Sequence, residues 1–443
     1  MKVLVLGGTG AIGVPTVRYL AEGGTDVYVT SRIPRKNHKN ITYIKCNALV
    51  EWDKLQELLK FDFDAIIDFM LYDVGEFQKR VNAYLSSTKQ YIFISSCRVF
   101  AESKSRLSEE SDRLFDVSSD QIYIKSNDYN LVKAREEDIL HNCIKSNWTI
   151  VRPYITYNTG RLQLGVYEID YWLSRALRGK AIIFPEDMVS KYTTLTFAGD
   201  VAVNIARLVG KDSSHGEIYD IVSSQYATWD SIFHIYDNVL FDKTGHHIQV
   251  KFIQNSIPLN AIWNRYTIKY DRLFDRKFNN SKIKKTTGFD KYTSLQDGLK
   301  RCLDDTIDNC NVTSNRIYEQ WSDSLIDKGT AYIPNRFRNI DVGDIVLWGT
   351  GKCFNEHAAD VMYISKVRYA CDNDSSKWGS RLTEGIVCES PEILLSNKDV
   401  FVVIMMESIT AAFQVVNQLL DMGISNFDVY GNWITYAYNL VRQ

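Results

Sequence analysis

No apolar run in this 443-residue chain is long enough to span a membrane, and glycines break the apolar N-terminus too early for a secretory leader. Neither sign of charge dominates. Lys and Arg number 52 against 54 Asp and Glu, a formal net charge of −2, so overall charge does not draw the chain to nucleic acid or an anionic bilayer. The eight cysteines (Cys46, Cys97, Cys143, Cys302, Cys310, Cys353, Cys371, Cys388) include no CxxC and no paired metal spacing. They offer no metal-ligand set and read as thiols kept reduced, hence a cytoplasmic setting. What is present is an ordinary globular composition, 45% apolar and 24% charged, with room for two or three domains.

The chain is organised around its first 32 residues. Val3, Leu4, Val5 and Leu6 form the short continuous run of a parallel strand buried on both faces (Lys2–Leu6). The turn Gly7-Gly8-Thr9-Gly10-Ala11-Ile12-Gly13 follows, then a helix over Val14–Ala21 and a strand over Asp26–Thr30. Glycines between strand and helix let the backbone turn sharply and approach a pyrophosphate, which the helix N-terminus favours. Gly7 to Gly13 are therefore the expected dinucleotide-binding residues. A second strand usually ends in Asp or Glu when the ribose hydroxyls are free. Here it ends in Ser31-Arg32, with Arg35 and Lys36 following. Ser31 and Arg32 are expected to hold a 2′-phosphate, which makes NADP the expected cofactor with NAD the alternative. The competing reading is a solvated basic loop.

Strands and helices then alternate: Ile41–Lys45, Trp52–Lys60, Asp64–Phe69, Val74–Leu85 and Gln90–Ser95. That order predicts an α/β fold with a doubly wound parallel sheet. The last strand runs into Ser95-Ser96-Cys97-Arg98-Val99-Phe100, and Tyr129-Asn130-Leu131-Val132-Lys133 follows a polar loop. Tyr129 and Lys133 are four apart, so on a helix their heads share a face. An ammonium beside a phenol favours the phenolate and makes it a usable acid/base near neutral pH.

Taken in order, GGTGAIG (Gly7–Gly13), FISSCRVF (Phe93–Phe100), YNLVK (Tyr129–Lys133), IVRP (Ile150–Pro153) and TLTFAGDVA (Thr194–Ala202) form a set. KIKKTTGFDKYTSLQDGLK (Lys282–Lys300) completes it. The set resembles the extended short-chain dehydrogenase/reductases, and within them the NAD-dependent epimerase/dehydratase group. The resemblance covers roughly residues 1–305 and implies a Rossmann-type sheet with a smaller substrate lobe. It implies Ser96 (Ser95 being the second candidate), Tyr129 and Lys133 as the catalytic residues. Tyr129 would move the proton, and Lys133 would hold the nicotinamide ribose. Residues 1–150 would be mainly dinucleotide-binding and 151–310 mainly substrate lobe, which in the family clamps a nucleotide-diphosphate sugar. Arg178 and Lys180, or Arg272 and Arg276, are candidate diphosphate contacts, although solvated helix faces are the expectation for each. Trp263–Tyr270 reads either as core or as a nucleobase platform. Phe100 replaces the family tyrosine, no acid stands in Cys46-Asn47-Ala48, and Asp68-Phe69-Met70 replaces small residues. These departures are similar to the divergent branch with the chloroplast stem-loop-binding relatives. Family dehydratases carry an Asp-Glu pair where Cys97-Arg98 stands, so keto/alcohol interconversion or epimerisation is expected rather than dehydration.

The resemblance stops near Asn311. Residues 311–343 are expected to be a linker with a helix about Ile317–Ile326, passing through Pro334 and Gly343. Residues 344–443 read as a second small Rossmann-like domain. Its expected elements are strand Asp344–Trp348, turn Gly349-Thr350-Gly351-Lys352, a helix, and strand Val367–Cys371 ending in Asp372-Asn373-Asp374. Strand Val400–Met406, helix Thr410–Met422 and strand Phe427–Tyr430 complete it. It resembles modules attached to sugar-modifying enzymes of surface-polysaccharide pathways. Phe354 stands where a third glycine would be, so dinucleotide binding and a structural or oligomer-forming role both stay open. The expectation is an NAD(P)-dependent oxidoreductase or epimerase acting on a nucleotide-activated sugar for surface-glycan synthesis, without membrane or nucleic-acid partner and compatible with a homodimer. The alternatives are a non-catalytic nucleic-acid-binding or regulatory protein, and a reductase of another small carbonyl compound.

Overall fold

The computed structural model describes residues 1–328, 344–397, 400–424 and 426–430. Pro334, Gly343 and the rest of 329–343 in the expected linker lie outside the described residues. The chain divides into two compact units. The first comprises Met1–Ala181, Asp187–Gln249 and Lys269–Thr313; the second comprises Ile182–Glu186, Val250–Ile268 and the described residues from Ser314 onward.

The first unit is built on strands β1 (Lys2–Leu6), β2 (Asp26–Ser31), β3 (Ile41–Lys45), β4 (Phe63–Asp68), β5 (Thr88–Ile94), β6 (Trp148–Pro153) and β7 (Glu217–Ile221). They form one sheet in the order β7-β6-β5-β4-β1-β2-β3. Every pairing in it is parallel. Successive side chains of each strand point to opposite faces, so the sheet needs cover on both. On one face Leu4, Leu6, Ile66, Tyr91 and Phe93 meet Leu55 and Leu58 of α2 (Trp52–Leu58) and Phe77, Val81 and Tyr84 of α3 (Val74–Ser86). On the other, Val3, Val5, Val29, Ile67, Ile92 and Val151 share a core with Val17 and Leu20 of α1 (Gly13–Glu22). Helix α4 (Tyr129–His141) comes between β5 and β6, and α5 (Ala198–Leu208) adds Val201 and Ile205 to the α1 face. Burying each such side chain contributes about 1.5–3 kcal/mol, which makes this two-sided sheet the rigid frame of the site. The doubly wound fold read from the sequence is present, with strand ends shifted by one or two residues. Register sets Leu6 beside Asp68, Asp68 beside Phe93, and Ile94 beside Val151, so β1, β4 and β5 end side by side.

The second unit contains a five-stranded parallel sheet: β8 (Asp344–Trp348), β9 (Lys366–Cys371), β10 (Cys388–Glu389), β11 (Phe401–Ile404) and β12 (Phe427–Val429). Its order is β10-β9-β8-β11-β12. Helix α7 (Lys352–Ile364) covers one face through Phe354, Ala358 and Val361, following α6 (Arg316–Lys328) in the chain. Helix α8 (Ile409–Asp421) covers the other through Ala412, Val415 and Leu419. Within this unit the Trp263 ring stacks on Tyr318 at 4.8 Å and meets Trp321 edge-on at 5.3 Å, so it serves packing. Asn417 of α8 donates to Gln320 of α6 at 3.1 Å. Strands Ile182–Pro185 and Val250–Ile253 pair in parallel in the same unit. These long-range contacts are why part of segment 151–310 groups with residues after Ser314, a grouping no local pattern signals.

Candidate functional site

The chain leaves β1 through Gly7, whose φ of +72° is the left-handed region that favours glycine. Its N–H donates to Thr30 Oγ1 at 3.2 Å, tying the turn to the end of β2. A Cβ on Gly8 would stand 2.8 Å from Val5 Cγ1 and 2.9 Å from Val29 Cγ1. A Cβ on Gly13 would stand 2.7 Å from the Gly8 backbone. The chain's own packing thus forces those glycines. Gly10 differs: a Cβ there would find only Gly7 O, at 3.9 Å. A side chain at Gly10 would fit the protein and would fill the space in front of the α1 N-terminus, so the cradle fits a dinucleotide pyrophosphate.

At the end of β2, Ser31 is buried and Arg32 exposed. Arg35 Nε donates to Ser31 Oγ at 3.3 Å and its guanidinium lies 5.9 Å from the Tyr43 ring centre. Arg35, four residues on, therefore joins Ser31 in the pair expected from the sequence, while Arg32 has no ion pair among the described residues.

The end of β5 separates the two serines. Ser95 Oγ donates to Glu137 Oε1 at 2.6 Å. Glu137 is gripped by Arg152, with Nε to Oε1 at 2.7 Å and Nη2 to Oε2 at 2.6 Å, and Arg113 stands 3.4 Å away. Burial alone would raise this carboxyl, but Arg152 and the hydrogen bonds hold it below the ordinary glutamate range. Ser95 is thus tied into a structural pair. Ser96 caps the short helix Cys97–Val99 by accepting from Arg98 N–H at 3.2 Å, which leaves its own hydroxyl proton to give. Cys97 is wholly buried and donates to the Arg152 carbonyl at 3.0 Å; burial pushes the thiol well above its usual range.

Tyr129 opens α4 behind the Asp128 cap, which accepts from Asn130 N–H at 3.2 Å. Arg98 sits over the Tyr129 ring, 5.2 Å from its centre. Lys133, one helical turn on, is 1% exposed and pairs with Glu136 Oε2 at 2.9 Å. Beyond that contact, neither Lys133 Nζ nor either Glu136 oxygen has a hydrogen-bond partner among the described residues. A buried ammonium with open hydrogen-bonding capacity suits the hydroxyls of a ribose. Asp68, ending β4, is buried and accepts from Tyr91 OH at 2.7 Å, Tyr72 OH at 3.0 Å and Met70 N–H at 2.9 Å. Burial outweighs those bonds and raises its carboxyl.

A second cluster adjoins Arg98. The Asp271 carboxylate is buried between Arg98 (3.4 Å), Arg276 (3.1 Å) and Arg272, and accepts from Tyr154 OH at 2.9 Å. Burial alone would raise this acid, yet Arg272, Arg276 and Arg98 hold it below the usual range. Arg272 and Arg276 are 5% and 0% exposed, which corrects their expected place on solvated helix faces. The reason is the buried Asp271, which Arg272 meets from a π-helical turn over Ile268–Arg272, a geometry frequent at functional sites, and Arg276 from the segment that follows. Arg178 is exposed, as expected. Glu136, Asp68 and Asp271 escaped the sequence reading. Spacing alone puts Glu136 near Lys133, but nothing local announces that Asp271 meets Arg98.

In the second unit, Gly349 has φ +103°. Asp372, at the end of β9, accepts from Thr350 N–H (2.8 Å), Thr350 Oγ1 (2.6 Å) and Lys377 Nζ (3.0 Å). Burial opposes ionisation, but these bonds bring the acid down to about 2. The acid that would hold a ribose is bonded to its own glycine turn, and Phe354 is core. No group of three or more His, Cys, Asp or Glu side chains suits a metal among the described residues. No described helix is long and apolar enough to cross a membrane.

No curated protein matches the sequence. Among solved structures, UDP-glucuronic acid 4-epimerase from Bacillus cereus, in complex with UDP-glucuronic acid and NAD, is similar at 16% identity with a TM-score of 0.54, covering 70% of this chain and 99% of its own. The dTDP-glucose 4,6-dehydratase from Bacillus anthracis in complex with NAD is similar at 16% identity and a TM-score of 0.53, over 71% of this chain and 98% of its own. At such identity these are likenesses of fold. Residues 3–221, which carry the glycine turn, Ser96, Tyr129 and Lys133, match the model of the NAD dependent epimerase/dehydratase family, and this segment of the chain belongs to that family.

Proposed function

We propose that this protein is an NAD(P)-dependent oxidoreductase or epimerase of a nucleotide-activated sugar, acting in the cytoplasm on the way to a surface polysaccharide. The observation that carries the reading is the buried Lys133 ammonium, with unfilled hydrogen-bonding capacity, one helical turn from Tyr129. When bound, the dinucleotide supplies a hydride acceptor and returns the hydride. Lys133 donates to its ribose, and the α1 N-terminus beyond Gly10 faces its pyrophosphate. Ser96 donates to the reacting sugar oxygen, and Tyr129 takes that oxygen's proton as the phenolate and returns it as the phenol. Arg98, Arg272 and Arg276 converge on Asp271, with Arg98 over the Tyr129 ring, a cationic cluster that suits an anionic substrate such as a sugar diphosphate. The similar solved structures with UDP-glucuronic acid, UDP-glucose and NAD support that class. Arg98 cannot protonate a leaving hydroxyl, which favours epimerisation or keto/alcohol interconversion over dehydration.

The test is Tyr129→Phe, assayed for NAD(P)-linked conversion of UDP-glucose and UDP-glucuronic acid. Turnover is expected to fall at least about a hundredfold with the fold retained. Turnover within a few-fold of wild type removes Tyr129 from the chemistry and favours a non-catalytic role. NADP is the proposed preference, on the positive end of β2 at Ser31, Arg32 and Arg35.

A further inference from the structure

Lys133 faces two buried carboxylates. Glu136 Oε2 is 2.9 Å from its Nζ on the same helix, and Asp68 adds its charge from the end of β4. The Phe93 ring, 4.5 Å from the ammonium, closes another side. The other groups whose fields reach Glu136 are accounted for. Glu137 is paired with Arg152, and Tyr91 donates to Asp68, as does Tyr72. One cation therefore answers two acids in a site from which water is nearly excluded, Lys133 being 1% and Glu136 0% exposed. Such a cluster holds a proton more firmly than a free glutamate does, and burial brings Glu136 up to about 7 in spite of Lys133.

We propose that Glu136 is a positioning residue which, through Lys133, sets whether the site prefers the oxidised or the reduced nicotinamide. The inference rests on the reading that Lys133 faces the nicotinamide ribose. An oxidised nicotinamide ring carries a positive charge and a reduced one does not. With Glu136 ionised, the Lys133 charge is cancelled and the cationic ring is tolerated. With Glu136 protonated, the cluster is more positive by one unit charge, which disfavours the cationic ring while leaving the neutral one unaffected. Falling pH thus weakens binding of the oxidised form relative to the reduced form. In an enzyme that must keep its dinucleotide oxidised between turnovers, the ionised pair favours that resting state.

The experiment is calorimetric titration of NAD+ and NADH, or of the 2′-phosphorylated pair should it bind tighter, into the full chain at about pH 6 and about pH 8.5. The NADH to NAD+ ratio of Kd values is expected to fall roughly tenfold on going to the lower pH, the effect of one unit charge at about 12 Å in an effective dielectric of about 20. Glu136→Gln is expected to hold the ratio at the wild-type low-pH value at both pH values, while Asp68→Asn keeps the pH dependence. A pH-invariant wild-type ratio, or a Glu136→Gln protein that titrates like wild type, overturns the inference and leaves the cofactor reading standing. Should Glu136→Gln not fold, the Asp68→Asn profile decides, since loss of the dependence there assigns it to Asp68 instead. Folded wild-type protein that binds neither form overturns the cofactor reading and the inference with it.

Discussion

Replacing Arg152 by Met strands a carboxylate inside the first unit. Arg152 is 2% and Glu137 0% exposed, joined by two short bonds of 2.7 and 2.6 Å. The methionine keeps the bulk but no charge, leaving Glu137 with Ser95 at 2.6 Å and the longer Arg113 contact at 3.4 Å. Removing one partner of a buried pair costs about 3–5 kcal/mol, against about 0–1 for an exposed one. The pH dependence carries a sign. In wild type the Glu137 carboxyl is depressed, so its contribution is present above the ordinary glutamate value of about 4.3 and is lost as pH falls through the folded value. In Arg152→Met burial is opposed only by Ser95 and the longer Arg113 contact, the folded carboxyl rises, and the variant loses stability as pH increases through that raised value. The deficit should therefore be greatest near about pH 8 and clearly smaller near about pH 5. Urea unfolding followed by circular dichroism at both pH values measures it. A deficit below about 1 kcal/mol, equal at the two, would show that the pair acts as a solvated one and refute the argument. Because Glu137 also holds Ser95 on the helix bearing Tyr129 and Lys133, the same variant should lose dinucleotide affinity.

Gly10→Ala should keep stability within about 1 kcal/mol of wild type yet weaken dinucleotide binding about tenfold or more, whereas Gly13→Ala should lower stability by about 1–3 kcal/mol. Equal thermal shifts for the two would contradict the room found at Gly10 and the 2.7 Å clash at Gly13. Arg32→Ala should reduce the preference for NADP over NAD roughly tenfold in calorimetric titration, and equal wild-type affinities would remove the phosphate reading. Iodoacetamide at neutral pH should leave Cys97 unmodified in the folded protein, read by peptide mass spectrometry; labelling as fast as that of the part-exposed Cys143 would contradict its burial.

Local pattern alone determined the alternating elements, the parallel sheet and the glycine turn, because a strand buried on both faces and a strand-to-helix turn are written in neighbouring residues. The Tyr129–Lys133 spacing was legible for the same reason: four residues on a helix fix a shared face wherever the helix lies. The resemblance ranked Ser96 above Ser95, and only tertiary structure showed what engages Ser95, since the Glu137 that takes its hydroxyl is 42 residues away. It also moved Arg272 and Arg276 from an expected surface into the interior, around an Asp271 whose charge no local window connects to Arg98. The acid ending β9 was visible beside a second glycine turn, but only folding gave its oxygens to Thr350 and Lys377. The three-residue step from Lys133 to Glu136 was visible in the chain, but its consequence was not. Proximity follows from helix geometry, whereas the protonation of a carboxyl depends on how completely other segments exclude water from it.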